Sequence, residues 1–315
     1  MEQSNQTSSQ IFFLLGLSTV PHLQVLFFVI VLILYLMTIL GNLLLIVAVR
    51  ISPTLHNPMY FFLINLSFID ICFSSSVVPV LLLNTLAKDT SISLFRCATQ
   101  MCVSLTLGGT ECIILAVMAY DRFAAICRPL HYNTIMSKML CFYLAAFSWS
   151  VGLINSLVQV TLTFQLSFCN CLNINHYFCE VPAFISMSCG DTFHNELSIF
   201  ITGGIIALCA FLLILISYVQ IIFSILKIRS TLRRQKSFST CVSHLIVVTL
   251  YYGTIMSMYL RPHSNKHMHC SAKSDKVVSV LYTAVTPMLN PFIYSMRNQD
   301  VKKTLINYLK RKKCH

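Results

Sequence analysis

Residues 23–49 read LQVLFFVIVLILYLMTILGNLLLIVAV, an apolar run without a charged residue. A helix needs about 20 mainly apolar residues to cross the hydrocarbon layer of a membrane, so this run predicts a membrane-spanning helix. Six further runs of this kind lie at residues 58–83, 97–120, 140–163, 197–226, 238–260 and 277–296. The sequence therefore predicts an all-α membrane protein, built as a bundle of seven transmembrane helices.

The composition of the whole chain supports a membrane protein. Of its 315 residues, 56% are hydrophobic and only 10% are charged, whereas about 25% are charged in soluble proteins. An enzyme is not expected, because no nucleophile, base and orienting group fall together on one side of the membrane. A transporter or channel is a weaker alternative, since the sequence has no internal repeat and only two acids within the spans.

The distribution of basic residues predicts the orientation. Only six of the 22 Lys and Arg residues fall on the N-terminal side of the membrane, where they face a similar number of acids: Lys88, Arg96, Arg261, Lys266, Lys273 and Lys276. The positive-inside rule then places the C-terminus in the cytoplasm and the N-terminus outside. The net charge of +12 is thus a topology signal, which also suits anionic lipid at the inner leaflet and does not indicate nucleic acid.

We expect a single domain over residues 1–315, with an extracellular N-terminus (1–22), the helix bundle (23–296) and a cytoplasmic tail (297–315). The apolar stretch 11–17 has no basic region before it, so no cleavable signal peptide is expected. Asn5-Gln6-Thr7 fits a glycosylation sequon on the outside.

Two acids lie within the predicted spans, Asp70 in the second and Glu111 in the third. The amides of Asn42 and Asn290 lie at similar depth. Because ionisable residues inside a membrane are costly, they indicate function. The four side chains can hold a hard cation such as Na⁺, and the alternative is a protonated, hydrogen-bonded pair that holds the helices together.

The cytoplasmic ends of the spans carry a candidate switch. Asp121-Arg122 ends the third span, and we expect Arg122 to pair with Asp121 at rest and to release it when the helices move. The alternative is an interfacial Arg that snorkels. Pro291 gives the seventh span a hinge, and Tyr218 and Tyr294 are predicted to face each other. An aromatic belt explains these tyrosines equally well.

Six cysteines fall on the oxidising side, where disulfides persist: Cys97, Cys169, Cys171, Cys179, Cys189 and Cys270. Sequence alone does not give their pairing. The third outer loop also carries a cluster of zinc- or copper-binding residue types, His263, His267, His269 and Cys270, to which His176 and Cys179 can add ligands. A solvated polar loop is favoured, because the spacing matches no closed zinc site.

Several ordered motifs resemble those of rhodopsin-like G-protein-coupled receptors, and within them the tetrapod-type (class II) olfactory receptors. They are Gly41-Asn42, Pro58-Met59-Tyr60, Met118-Ala119-Tyr120-Asp121-Arg122, Ser217-Tyr218, Lys236-Ser237-Phe238-Ser239-Thr240-Cys241 with Ser243-His244, and Pro287-Met288-Leu289-Asn290-Pro291-Phe292-Ile293-Tyr294. The ordered set is specific and covers nearly the whole chain. The departures are Phe123-Ala124, Asn57, Ser237 and Met296, and Phe123 lacks a hydroxyl near the cytoplasmic surface.

The resemblance implies a function. It implies a receptor in the plasma membrane of olfactory cilia that binds a small volatile odorant and activates a stimulatory G protein of the olfactory type, raising cAMP, without a cofactor other than a structural Na⁺. The alternative is a receptor for a non-odorant metabolite outside the nose. It also implies disulfides Cys97–Cys179 and Cys169–Cys189, a sodium site at Asp70 and Glu111, and activation switches at Asp121, Arg122, Tyr218, Asn290, Pro291 and Tyr294.

The resemblance, with a count along each helix at about 3.6 residues per turn, also gives candidate pocket positions: Ser104, Leu105, Gly108, Gly109, Thr202, Gly203, Ile206, Tyr252, Ile255, Met256, Tyr259, Val280 and Thr283. None is charged, so we expect a neutral ligand with one or two polar atoms. Simple helix packing is the alternative at each position.

Overall fold

The computed structural model describes residues 11–14, 21–86, 91–168, 173–259, 276 and 278–297. Within this part of the chain, six helices are long and apolar enough to cross a membrane: α1 (Pro21–Ile51), α2 (Pro58–Leu86), α3 (Leu94–Cys127), α4 (Lys138–Phe164), α5 (Phe193–Leu226) and α6 (Thr231–Tyr259). A seventh helix, α7 (Thr286–Arg297), follows a π-helical turn at Leu281–Val285. The chain is an all-α protein with seven membrane-spanning segments, as predicted.

Most of the helices extend beyond the apolar runs that predicted them. Helix α3 begins at Leu94 and ends at Cys127, outside both limits of the predicted span 97–120. The run marks only the part in hydrocarbon, whereas the backbone hydrogen bonds of a helix continue into the headgroup region. Caps fix two of the starts, because the hydroxyls of Ser93 and Ser137 accept backbone N–H groups at the beginning of α3 and α4.

Helix α3 lies at the centre of the bundle and packs most extensively against α4 and α5. Small residues allow the close approach to α4: a Cβ at Gly109 would lie 3.3 Å from the Cα of Gly152, and one at Gly152 would lie 2.5 Å from the Thr110 hydroxyl oxygen. In hydrocarbon, such close packing is a main source of helix association. Helices α1, α2 and α7 pack together on the other side.

The outer faces of the helices are apolar. On α1, Leu26, Ile33 and Leu40 recur every seven residues and are 57%, 51% and 60% exposed. Exposed aliphatic side chains in such numbers are suited to lipid and not to water. The polar side chains are turned inward instead, so the helices are inside-out relative to those of a soluble protein.

The short elements lie in the loops. A three-stranded sheet joins β1 (Ile11–Leu14), β2 (Ser91–Ser93) and β3 (Asn173–Ile174), with β1 in the middle, antiparallel to β2 and parallel to β3. The remaining pieces are 3₁₀ turns at Pro53–Leu55 and Pro129–His131, and short helices at Tyr132–Ile135 and Val181–Met187. The sheet was not expected from the sequence.

In the described part of the chain, two π-helical turns interrupt the membrane helices, at Ile199–Gly203 within α5 and at Leu281–Val285 before α7. Each adds a residue to one turn and so changes which side chains face inward. Such turns often mark functional sites, and these two contain the predicted pocket residues Thr202, Gly203 and Thr283.

Candidate functional site

A polar core lies at mid-depth between α1, α2 and α7. The Asn290 amide nitrogen donates to both carboxyl oxygens of Asp70, at 3.0 Å each, and both side chains are 1% exposed. The Asn42 amide nitrogen donates to the carbonyl of Pro287 at 3.1 Å. That carbonyl has lost its helical partner, because Pro291, four residues on, has no N–H. The predicted residues Asn42, Asp70 and Asn290 are therefore brought together.

Glu111 of α3 completes the predicted set of intramembrane acids and is 8% exposed. Among the described residues, its Oε1 has no hydrogen-bond partner, and neither have the Oδ1 atoms of Asn42 and Asn290. Buried oxygens without partners cost free energy unless something satisfies them. A set of carboxylate and amide oxygens suits a hard cation, so the residues present fit the expected Na⁺.

The cytoplasmic end of α3 differs from the prediction. Asp121 accepts a hydrogen bond from the Tyr132 hydroxyl at 2.8 Å, and the described part of the chain contains no Asp121–Arg122 ion pair. In this conformation the Asp121 carboxylate is therefore bound by the Tyr132 phenol, and the pairing of Asp121 with Arg122 in the resting state stays a prediction. Arg122 is only 8% exposed, and its Nε has no hydrogen-bond partner among the described residues.

The two predicted tyrosines do not bond to each other. The Tyr218 hydroxyl lies 2.8 Å from Nδ1 of His244, and the two rings stack 5.8 Å apart. The Tyr294 hydroxyl is buried without a hydrogen-bond partner in the described part of the chain. The sequence analysis named His244 only as part of a motif, although a buried His in a membrane span itself indicates function. The structure therefore links α5 to α6 through His244.

Gly108 of α3 and Gly203 of α5 each have free space beside them. A Cβ added at Gly108 or at Gly203 would meet no atom within 4 Å, so two of the predicted pocket positions leave volume. The Tyr251 hydroxyl donates to the carbonyl of Gly108 at 2.5 Å. Ile206 and Ile255 pack partly buried against the core between the helices, and Met256 is 41% exposed.

Most predicted polar anchors already have partners. The Gln159 amide nitrogen donates to the Thr202 hydroxyl at 2.8 Å, and the Tyr252 hydroxyl lies 3.2 Å from the sulfur of Cys112. The Ser104 hydroxyl bonds its own helix at Met101. A ligand must therefore compete with these partners for a hydrogen bond. Gln159 was not predicted as a site residue, although a polar residue within a span indicates function.

Two predicted pocket positions serve packing. Gly109 faces α4 at Gly152, so it does not add volume to the space beside Gly108 and was wrongly placed in the pocket. Val280 packs partly buried against Val77, Val78 and Tyr177. The alternative of simple helix packing holds for both.

The long outer loop reaches into the bundle. The expected disulfide between Cys97 and Cys179 is present, and the backbone N–H of Cys179 donates to the Gln100 side-chain oxygen at 3.0 Å. The Tyr177 hydroxyl lies 3.1 Å from that of Thr283, so the loop occupies this predicted anchor from above.

His176 is buried in the same loop, with its Nε2 3.2 Å from Glu180. Burial, and next the charge of Lys276, lower the pKa of His176 to about 3, while burial raises the pKa of Glu180 to about 8. A contribution of His176 and Cys179 to a metal site is thus wrong, since the cysteine is in a disulfide and the histidine is enclosed. The described residues hold no group of three metal-ligand side chains.

Several predictions fall outside the described residues: the glycosylation site Asn5, the loop residues His263, His267, His269 and Cys270, and the side chain of Tyr259. Cys189 is disulfide-bonded, but its expected partner Cys169 lies outside the described residues. The Cys169–Cys189 pairing therefore stays a prediction.

Comparison with known proteins identifies the family. The family model described as olfactory receptor matches residues 31–312. The chain is 48% identical to olfactory receptor 2G6 of Homo sapiens, over 97% of this chain and 95% of that protein. It is 47% identical to olfactory receptor 5AR1 of Mus musculus, over 96% of each, and 48% identical to olfactory receptor 1E5 of Pan troglodytes, over 99% of this chain and 98% of that protein. The chain therefore belongs to the olfactory receptor family, as a multi-pass protein of the plasma membrane and not an enzyme.

Proposed function

We propose that this receptor binds a small, neutral, mainly apolar volatile molecule between its helices and activates a stimulatory G protein of the olfactory type, raising cAMP in olfactory cilia. The observation that carries the ligand class is the open space at Gly108 and Gly203. The predicted positions around it bear no charged side chain. A molecule of few atoms fits such a site, which offers apolar contacts and little else.

The occupied anchors support a ligand with few polar atoms. The hydroxyls of Thr202 and Tyr252 are held by Gln159 and Cys112, so a ligand with many hydrogen-bonding groups would leave some of them unsatisfied. A buried polar group without a partner costs about 1–3 kcal/mol. A charged group costs more, because no counter-charge lies at the predicted positions.

The cytoplasmic cluster supports coupling to a G protein. Arg122 lies at the end of α3 and interacts electrostatically with Tyr218 of α5 and His244 of α6, which are hydrogen-bonded to each other. If α6 moves away from α5, the Tyr218–His244 contact breaks, and the Tyr218 hydroxyl is freed close to the Arg122 guanidinium. A partner with polar groups can then bind the guanidinium with the planar geometry that Arg favours.

The ligand class is tested with cAMP measurements in cells that express the receptor with an olfactory-type G protein. We expect saturable responses to neutral alcohols, ketones or esters. Amines and carboxylic acids of equal chain length should be at least about a hundredfold weaker, because burying an unpaired charge costs several kcal/mol.

Cells with the same G protein but without the receptor are the control, and surface staining confirms expression. Charged ligands that match or exceed their neutral counterparts would contradict the proposed ligand class. A response only to non-volatile metabolites would favour the alternative receptor outside the nose.

We also propose that Na⁺ binds at Asp70 and Glu111, supported by the unpartnered oxygens of Glu111, Asn42 and Asn290. Sodium should raise the melting temperature of the purified receptor relative to choline, a cation too large to enter. The expected rise is about 2–4 °C for each kcal/mol of binding free energy. The rise should disappear in Asp70→Asn, which loses the negative charge.

Ser76→Ala is the matched control on α2, because it loses only a hydrogen bond to its own helix at Phe73. It should keep the sodium-dependent rise. An equal rise in Asp70→Asn and in the unmodified receptor would show that sodium acts elsewhere, and no rise in either would remove the proposed ion.

A further inference from the structure

The long outer loop inserts two aromatic side chains among the helices. Tyr177 and Phe178 directly precede Cys179, which is bonded to Cys97 of α3, and they are 0% and 1% exposed. Loop residues usually lie on the surface of a protein. A phenol buried this fully is expected to have a hydrogen-bond partner, because an unpaired buried hydroxyl costs free energy.

That partner is Thr283, in the π-helical turn before α7. The hydroxyl oxygens of Tyr177 and Thr283 lie 3.1 Å apart, and the Thr283 side chain is 0% exposed. The Thr283 hydroxyl already donates to the carbonyl of Ser279 at 2.7 Å. Since a hydroxyl has one proton to donate, Tyr177 is the donor and Thr283 the acceptor. A directed hydrogen bond therefore joins the outer loop to the seventh span.

The turn that accepts this bond lacks one regular helical hydrogen bond. In an α-helix the carbonyl of Thr283 would accept the N–H four residues on, but that residue is Pro287, which has none. The Ser74 hydroxyl of α2 lies 3.5 Å from this carbonyl and donates to it instead. The position of the turn therefore depends on side chains from other segments.

Aromatic rings join the same three segments. The ring of Tyr282, beside Thr283, lies 5.7 Å from that of Phe73 on α2 and 6.4 Å from that of Phe178 in the outer loop. Both distances lie within the range of attractive ring contacts. The outer loop, the turn before α7 and α2 consequently form one packed group.

This group lies on the extracellular side of the polar core. Ser74 is one turn outward from Asp70 on α2, and Thr283 is about two turns outward from Asn290 on the seventh span. Hydrogen bonds thus join α2 to the seventh span at two depths, Ser74 to Thr283 and Asn290 to Asp70. The outer loop contacts the outer of these two junctions.

We propose that Tyr177 is a positioning residue that holds the outer part of the seventh span in the resting conformation, so that the outer loop opposes activation. The proposal rests on the coupling to a G protein given under the proposed function. In this conformation the Tyr218–His244 contact, which breaks when α6 moves away from α5, is intact. The Tyr177–Thr283 hydrogen bond is therefore present before activation, and its loss makes the resting conformation easier to leave.

The test is the cAMP level without odorant, divided by the amount of surface receptor, in cells that express an olfactory-type G protein. Tyr177→Phe removes only the donor hydroxyl, and Thr283→Val replaces the acceptor hydroxyl with a methyl group. Each should raise the cAMP level by up to about fivefold, the effect of one buried hydrogen bond on a two-state equilibrium. Because both changes remove the same bond, the double variant should show no further rise.

Tyr35→Phe is the matched control, since the Tyr35 hydroxyl also lies 3.1 Å from a second hydroxyl, that of Ser75 on α2. This bond joins α1 to α2 and not the outer loop to the seventh span. The cAMP level without odorant should stay at the value of the unmodified receptor.

A rise in both single variants, with no further rise in the double variant and none in Tyr35→Phe, would support the proposal. Loss of folding lowers the amount of receptor and its signal, so it does not produce a rise. The proposal is overturned, and the proposed function left intact, if an odorant-responsive receptor shows no rise in either single variant, additive rises in the double variant, or an equal rise in Tyr35→Phe. No response of the unmodified receptor to any neutral alcohol, ketone or ester, together with no rise in any variant, would overturn both.

Discussion

Replacing Arg122 with alanine is expected to abolish the odorant-evoked rise in cAMP while the receptor still reaches the cell surface. The side chain is 8% exposed, and its Nε has no hydrogen-bond partner among the described residues. A buried donor without a partner adds nothing to the stability of this conformation. Its contribution is expected in the activated state, where it can bind the G protein.

The size of the effect follows from what the guanidinium would do in the complex. Truncating one partner of a buried, hydrogen-bonded charge pair costs about 2–5 kcal/mol, which corresponds to a loss of at least about thirtyfold in coupling. Arg122→Lys should recover little, because an ammonium lacks the planar set of five donors. Surface staining of each variant separates loss of coupling from loss of protein.

Arg50→Ala provides the matched control, because Arg50 is also a basic residue at the cytoplasmic end of a helix but is exposed. It should leave the response nearly unchanged. A full response in Arg122→Ala would show that coupling does not depend on this side chain, and an equal loss in Arg50→Ala would point to general surface charge.

The number of spans and the depth of their polar residues were predictable because the membrane imposes them. A fixed hydrocarbon thickness sets the length of each span, and the cost of burying a charge there brings the few polar residues together. Asp70 and Asn290 are 220 positions apart in sequence, yet the structure joins them by two hydrogen bonds. The same reasoning identified Asn42, whose partner is a carbonyl that Pro291 leaves free.

The details of the pocket were less predictable, because they depend on departures from regular geometry. A count at a fixed period does not anticipate the π-helical turns that contain Thr202, Gly203 and Thr283. Gly108 and Gly109 are adjacent, and only the contact with Gly152 shows which of them faces α4. Asp121 accepts a hydrogen bond from Tyr132, which lies in a segment between two membrane helices. The sequence pattern does not predict where such a segment lies.

The extracellular three-stranded sheet could not be predicted from the sequence either. The stretch 11–17 is apolar, but a strand of four residues is not stable on its own. Four residues are also too few to show the alternation of side chains that identifies a strand. It becomes a strand only because β2 and β3 offer edges on both sides. The disulfide between Cys97 and Cys179 joins the outer loop that carries β3 to α3, which follows β2 directly.

Loss of that disulfide should therefore have a large effect on the amount of folded receptor. Cys97 and Cys179 are 82 positions apart. A cross-link that closes a loop of this length lowers the conformational entropy of the unfolded chain, which raises the free energy of unfolding by about 4.5 kcal/mol. Cys97→Ser or Cys179→Ser should reduce surface receptor to a small fraction of its normal amount. Since the unfolded chain in a membrane keeps its helices, we expect the outer loop and the sheet to be the parts that lose their structure.

The comparison of single and double variants makes this prediction specific. If the two sulfurs act only as a pair, Cys97→Ser combined with Cys179→Ser should lose no more surface receptor than either single change, because one disulfide is removed in all three. Cys209→Ser is the control, as Cys209 is a free cysteine exposed on α5. It should retain normal amounts. Near-normal surface receptor in the double variant would show that the loop is held mainly by its packing, including the Gln100 and Tyr177 contacts, and that the cross-link contributes little beyond them.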